Sequence, residues 1–211
     1  MTDADAGAGG DRRGRRKERS AETEQALKDA AREVFAERGY LNTKITDITA
    51  AAGRAAGSFY NHFASKEDLL RALLQDLAAE GDENAARPEH REDFTDPEAI
   101  RFHVEGYWRF ARRNWAVLRA MSQAALVNDE FAAIMRAFAV EQRDEIIGHM
   151  AYIPAAGLRL PGSPEAGLTM MFAAVDGLLQ SMREGVLEIT DEQAVEDLTR
   201  FIYRGLTGRD Y

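Results

Sequence analysis

Apolar positions recur at three- and four-residue spacing in one segment after another, which predicts an all-α protein of about nine helices. The first stripe, Leu27, Ala30, Ala31, Val34 and Phe35, predicts a packing helix from about Ser20 to Arg38. Ser20 suits its N-cap, Glu22 and Glu24 suit the positive end of its dipole, and Gly39 stops it. A second helix with Ile45, Ile48, Ala51 and Ala52 facing inward is expected to be capped by Thr43. Leu69, Leu70, Leu73, Leu74 and Leu77 mark another, from Lys66 to about Ala79, with Ser65 as cap. Beyond a polar loop at 81–97, Asp96 and Pro97 open a helix carrying Ile100, Val104, Tyr107, Trp108 and Ala111. Asn114 is expected to break it, a new stretch running from Trp115 to Val127 and a further helix from about Asp129 to Tyr152. After the Pro- and Gly-rich connector 154–164, two helices remain, one starting near Ser163 and one capped by Asp191.

Residues 51–66 (AAGRAAGSFYNHFASK) are the most specific stretch. Gly53 suits a tight turn, and two helices joined by three or four residues with a Gly form the helix-turn-helix unit that reads DNA. Phe59 and Phe63, four apart, share one buried face of a second helix that ends at Phe63. Gly57, Ser58, Asn61 and His62 fall on the remaining surface as a short, polar, hydrogen-bonding set. Tyr60 sits between the faces, its ring able to pack and its hydroxyl able to reach a phosphate. Lys44 and Thr46 lie at the exposed start of the preceding helix. Lys66 stands at the positive end of a helix dipole, which points to an anion outside the chain.

The run G-x-x-x-G-S-F-Y-x-H-F-x-S-K-E-D-L-L over residues 53–70 resembles the signature of the TetR family of bacterial transcriptional regulators. The resemblance covers about residues 20–77, and the rest only in helical architecture. It implies a homodimer whose paired second helices enter successive major grooves of a palindromic operator, and a separate helical domain that binds a small effector. It also implies that the last two helices, about 164–207 and apolar on more than one side, pair with the same two helices of a second subunit. Gly57 matches a family position where a missing side chain lets backbone approach the bases, and the anion at Lys66 becomes a DNA phosphate. Two departures stand out. The family usually has a hydroxyl residue where Lys44 stands, and it commonly has Val-Ser-Lys where this chain has Arg54, Ala55 and Ala56. An Ala at an N-cap costs about 0.5–2 kcal/mol relative to Ser, and Arg54 is expected to supply a phosphate or base contact in compensation.

Composition adds the distribution of charge. The net charge of -9 argues against nucleic acid taken alone, but residues 11–75 hold 13 Lys and Arg against 10 Asp and Glu, and residues 76–211 hold 14 against 24. Basic charge is therefore segregated into the first third, with six cations against one Glu from Arg12 to Arg19. That run reads either as a solubilising tail or as an arm that contacts phosphate or the minor groove. No Cys occurs, so disulfides, thiolate metal sites and Cys nucleophiles are excluded. No apolar run is long enough for a membrane span, so no membrane partner is expected and a cytoplasmic location is.

Catalytic chemistry has no candidate: there is no nucleophile elbow, no Gly-Lys-Ser/Thr phosphate loop and no strand-linked Gly-rich fingerprint. The four histidines are widely spaced along the chain, with no pair at i+3 or i+4, so neither a metal nor a cofactor is expected. What remains is an apolar bundle from which an effector site is expected to draw His103, Tyr107, Trp108, Trp115, Met121, Gln123, Met135, Phe138 and Met171, with Asp176 or Gln180 as further polar groups. Large residues at helical spacing are also ordinary core.

The expected organisation is a disordered basic arm (1–19), a helix-turn-helix domain (20–64), a connector helix (65–80) and an effector-binding and dimerisation domain (81–211). DNA contacts are expected from Thr43, Lys44, Thr46, Arg54, Ala55, Ala56, Gly57, Ser58, Tyr60, Asn61, His62 and Lys66. The expected function is a ligand-responsive repressor released from its operator by a hydrophobic small molecule. The alternative is a helical ligand-binding or protein-interaction module without operator binding, for which Ala55 and Ala56 are the argument.

Overall fold

A computed structural model describes the backbone of residues 7–85 and 88–211, and side chains at 14–81 and 88–211. The helices are α1 (Gly7–Arg38), α2 (Ile45–Ala51), α3 (Ala56–Phe59), α4 (Lys66–Ala85), α5 (Pro97–Val127), α6 (Asp129–Ile146), α7 (Tyr152–Ala155), α8 (Pro164–Arg183) and α9 (Asp191–Thr207), with a 3-10 segment at Ile147–Ala151. No strand occurs among the described residues. The chain divides into two compact units. The first takes the described residues up to Ala78 together with Ala116–Phe131; the second takes Ala79–Trp115 and Ala132–Tyr211. The end of α5 therefore belongs with the head rather than with the C-terminal unit, which a division at one point of the chain does not express.

In the first unit the stripes expected of α1 and α4 are buried, whereas α2 buries Ile48 and Thr49, with Ile45 and Ala52 half-buried and Ala51 exposed, because so short a helix turns only one narrow side inward. Leu27, Ala31, Ile48, Phe59, Leu69, Leu70, Leu73 and Met121 are each 0% exposed and make its core. The expected arm is corrected over its described part, because α1 continues back to Gly7. Arg, Lys, Ala and Glu are all good helix formers and no Pro interrupts them, so the helix propagates through Ser20 instead of starting there. Residues 1–6 lie outside the described residues. Two cations of α1, Lys28 and Arg32, meet the carboxylate of Asp76 on α4 at 2.9 Å each. Gly39 takes φ +72 at the end of α1, and Tyr40 then donates its N–H to the side chain of Gln123 at 2.9 Å.

Several caps differ from expectation in a way the neighbours explain. Thr43 is buried and its hydroxyl donates to the Gly39 carbonyl at 2.7 Å, so Lys44 becomes the N-cap of α2 and donates its own N–H to Asp47. Ser65 caps α4 as expected, accepting from the Asp68 N–H at 3.2 Å. Thr190, one residue before Asp191, caps α9 by accepting from the Gln193 N–H at 3.2 Å, leaving Asp191 in the first turn.

The second unit packs Ile100, Val104 and Trp108 of α5 with Leu168, Met171 and Val175 of α8 and Leu198 and Ile202 of α9 into one core. Asn114 does not break α5. Its amide donates to the Phe110 carbonyl at 3.1 Å and to Glu80 at 3.2 Å, so its polar group is satisfied within an uninterrupted helix. The expected Asp129–Tyr152 helix stops at Ile146 and tightens into the 3-10 segment before α7.

Candidate nucleic-acid interface

The reading corner is set by its turn and its two phenylalanines. Gly53 takes φ +62 and sends the chain out of α2; Arg54 N–H still bonds the Thr49 carbonyl at 2.9 Å. The helix that follows is shorter than expected: α3 ends at Phe59, with a turn through His62 closed by bonds from His62 and Phe63 N–H to the Phe59 carbonyl, both 2.9 Å. Phe59 and Phe63 are 0% and 4% exposed, with ring centroids 5.6 Å apart, and anchor α3 in the head.

What the anchors leave outside is a polar ridge. Arg54, Ala55, Ala56, Gly57, Tyr60 and Asn61 are exposed, Ser58 is half-buried, and Lys44 and Thr46 are exposed on α2. Tyr60 is 62% exposed, its ring edge against Phe59 at 5.6 Å. A Cβ added at Gly57 meets no atom, so this glycine does not serve helix packing. Ala55 is the N-cap of α3 in the extended conformation of a cap, without a side chain to accept from the helix.

Three expected DNA contacts are turned inward. The Thr43 hydroxyl is buried and already bonded. Lys66 donates from Nζ to the Thr43 and Tyr40 carbonyls, at 2.7 and 2.9 Å, and lies 4.1 Å from the centre of the Tyr40 ring. Its ammonium thus meets the negative ends of backbone dipoles instead of an outside anion, and burial lowers its pKa. The Tyr40 hydroxyl in turn donates to Glu67, and burial together with that carboxylate raises its pKa. His62 packs against α1, with Nδ1 3.8 Å from Glu24 and a side chain only 9% exposed.

The expected effector residues are divided between the units. Met121 is fully buried in the first unit and Gln123 holds the Tyr40 N–H there, so neither belongs to the C-terminal bundle. In the second unit Trp108 and Met171 are core, each 2% exposed, while Tyr107, Trp115, Met135 and Phe138 are half-buried. Trp108 Nε1 is buried with no acceptor. Tyr107 donates its hydroxyl to Asp176 at 3.0 Å, and burial raises the pKa of both groups. Arg183 stacks on Trp115 at 5.4 Å.

Three histidines that are widely spaced along the chain come together in space. His90, His103 and His149 bring ring nitrogens within 4.8 Å of one another. His103 Nε2 is 3.1 Å from the Arg91 carbonyl, and burial beside His149 lowers its pKa to about 4. No local spacing announced this cluster, because its members come from the segment before α5, from α5 and from the 3-10 segment.

A short exposed helix entered through a glycine turn and held on a buried scaffold is the geometry of a helix-turn-helix unit. Residues 27–73 match the model of the bacterial regulatory proteins, tetR family. The HTH-type transcriptional regulator TtgR of Pseudomonas putida is 39% identical over 83 residues, 39% of this chain and 39% of that protein. The HTH-type transcriptional repressor DhaR of a Mycobacterium species is 49% identical over 53 residues, 25% of this chain and 27% of that protein. The chain thus matches well under half the length of these curated relatives. A putative transcriptional regulator from Saccharomonospora viridis, solved in complex with choline, shares the fold with a TM-score of 0.73 at 21% identity, over 90% of this chain and 100% of that one. The likeness to the tetR family is thus carried by residues 27–73, and the likeness of the rest is one of fold.

Proposed function

We propose that this protein is a homodimeric, cytoplasmic, one-component repressor that holds a palindromic operator through paired α3 ridges and releases it when a hydrophobic small molecule occupies the second unit. The observation that carries this reading is the ridge itself: Arg54, Gly57, Tyr60 and Asn61 stand in solvent while Phe59 and Phe63 are buried behind them. Lys44, Thr46, Arg54 and the Tyr60 hydroxyl take phosphates, and Ala55 to Ser58 and Asn61 face base edges across a surface that only small side chains cover. Thr43, Lys66 and His62 support this surface from behind.

Dimerisation is supported by apolar side chains left on the surface of α8 and α9, Met170 at 56% and Phe201 at 70% exposure, with Val186 at 77% just beyond α8. A second copy of the same helices covers such a face with matching chemistry. The effector reading rests on half-buried Tyr107, Trp115, Met135 and Phe138, and on the indole N–H of Trp108, which a ligand acceptor satisfies. The choline bound by a protein of the same fold supports small-molecule control. A tenfold release from DNA needs about 1.4 kcal/mol of ligand preference for the incompetent state.

The test is a mobility-shift titration of the full chain against DNA upstream of its own coding region, at several salt concentrations. Sequence-selective binding that weakens steeply with salt is expected. Absence of binding at low salt overturns the reading in favour of a helical ligand-binding or interaction module.

A further inference from the structure

We propose that His90, His103 and His149 form a binding site for a single borderline divalent transition-metal ion, Zn2+ foremost. Three imidazoles are an ordinary first set of ligands for such an ion, and here each offers a ring nitrogen within 4.8 Å of the others. A triangle of that size has its centre about 2.8 Å from each corner, ~0.7 Å outside a Zn–N bond, a gap that small side-chain rotations close.

Three further features fit a metal better than a chance stack of rings. His149 is 6% exposed and its Nδ1 has no hydrogen-bond partner, an arrangement that is costly unless something completes it. The Arg91 carbonyl can only accept, so the 3.1 Å contact assigns the hydrogen of His103 to Nε2 and leaves the lone pair on Nδ1. A backbone carbonyl holding the second nitrogen of a metal-bound imidazole is the usual outer support of such sites. The rings also lie close together, with centroids 4.9–5.1 Å apart, and Phe94, 0% exposed, walls off His103 and His149.

Burial keeps His103 and His149 in the neutral form that a metal requires, with pKa values below the ordinary histidine range. The Glu92 carboxylate acts on His149 and supplies negative charge toward the dication. Since the ligands come from the segment preceding α5, from α5 and from the 3-10 segment, a bound ion ties sequence-distant parts of the second unit together.

The experiment uses the untagged full-length protein, stripped with EDTA and titrated with Zn2+ against a chromophoric chelator, with Co2+ as a spectroscopic probe. One equivalent per chain is expected, with visible Co2+ absorption, a rise in melting temperature, and at least a tenfold loss of affinity in His90→Ala. X-ray absorption on the unmodified zinc protein, which needs no variant to fold, is expected to show nitrogen neighbours at ~2.0–2.1 Å. Binding well below one equivalent, unchanged affinity in a folded His90→Ala variant, or a shell of oxygen alone overturns the proposal.

Discussion

Lys66 Nζ donates to the Thr43 carbonyl at 2.7 Å, which joins the first residue of α4 to the loop that launches α2. The ammonium also holds the Tyr40 carbonyl at 2.9 Å, so one side chain satisfies two backbone acceptors of the α1–α2 loop. Replacing Lys66 by Met leaves both without this donor. Loss of about 1–2 kcal/mol of unfolding free energy is expected, after allowance for the half-exposed site. Chemical denaturation without DNA measures it. Unchanged stability returns Lys66 to a role at the DNA.

Ala55 already has the backbone geometry of an N-cap, φ -68 and ψ 147, but no side-chain acceptor. Ala55→Ser supplies one for the exposed N–H groups of α3. A gain of about 0.5–1 kcal/mol is expected from a helix this short. Urea unfolding midpoints at unchanged slope check it.

At the ridge, Tyr60→Phe removes one exposed hydroxyl and is expected to weaken all duplexes alike, by roughly fivefold for one lost hydrogen bond. Arg54→Ala is expected to reduce the salt slope of binding by about 0.9, the signature of one phosphate contact. Titrations of operator and unrelated duplex at matched salt series separate the two. An unchanged slope assigns Arg54 away from phosphate.

Phe201, 70% exposed on α9, is the most exposed aromatic ring of the proposed dimer face. Phe201→Glu places a charge where two copies meet, and monomeric protein at micromolar concentration is expected by light scattering. Operator affinity falls with it, because one ridge reaches only one half-site. A dimer that survives the charge moves the interface elsewhere.

Asp176, beside the Tyr107 hydroxyl, has a pKa raised above its ordinary 3.8 by burial. The folded carboxyl then keeps its proton at pH values where the unfolded one has lost it. Its contribution to stability is full below about pH 4 and declines as pH climbs through the folded value. Asp176→Asn keeps an acceptor for Tyr107 and carries no charge. Thermal melts are expected to show the variant more stable than the parent at pH 7 and equal to it at pH 3.5, and an equal gap at both pH values contradicts the burial of this group.

The helices of the head were legible because their signals are local. The stripes Leu27 to Phe35 and Leu69 to Leu77, the stop at Gly39, the turn at Gly53 and the pair Phe59 and Phe63 each lie within a few residues of the backbone they shape. Gly57 and Asn61 could be placed outside by the same periodicity, since burying the two rings leaves them no other side, whereas Tyr60, read as lying between the faces, stands 62% exposed.

Partners distant in sequence were another matter. Periodicity says which face of a helix is polar, not whether a polar group there meets water or a backbone carbonyl. Hence Lys66 and Thr43, read as DNA contacts, are spent inside the head, and Asn114, read as a break, is satisfied by Phe110 and Glu80. His90, His103 and His149 lie too far apart along the chain for any spacing rule, and only packing brings their nitrogens together. Local propensity and burial pattern follow from neighbouring residues; the pairing of polar groups depends on which helices the folded core sets side by side.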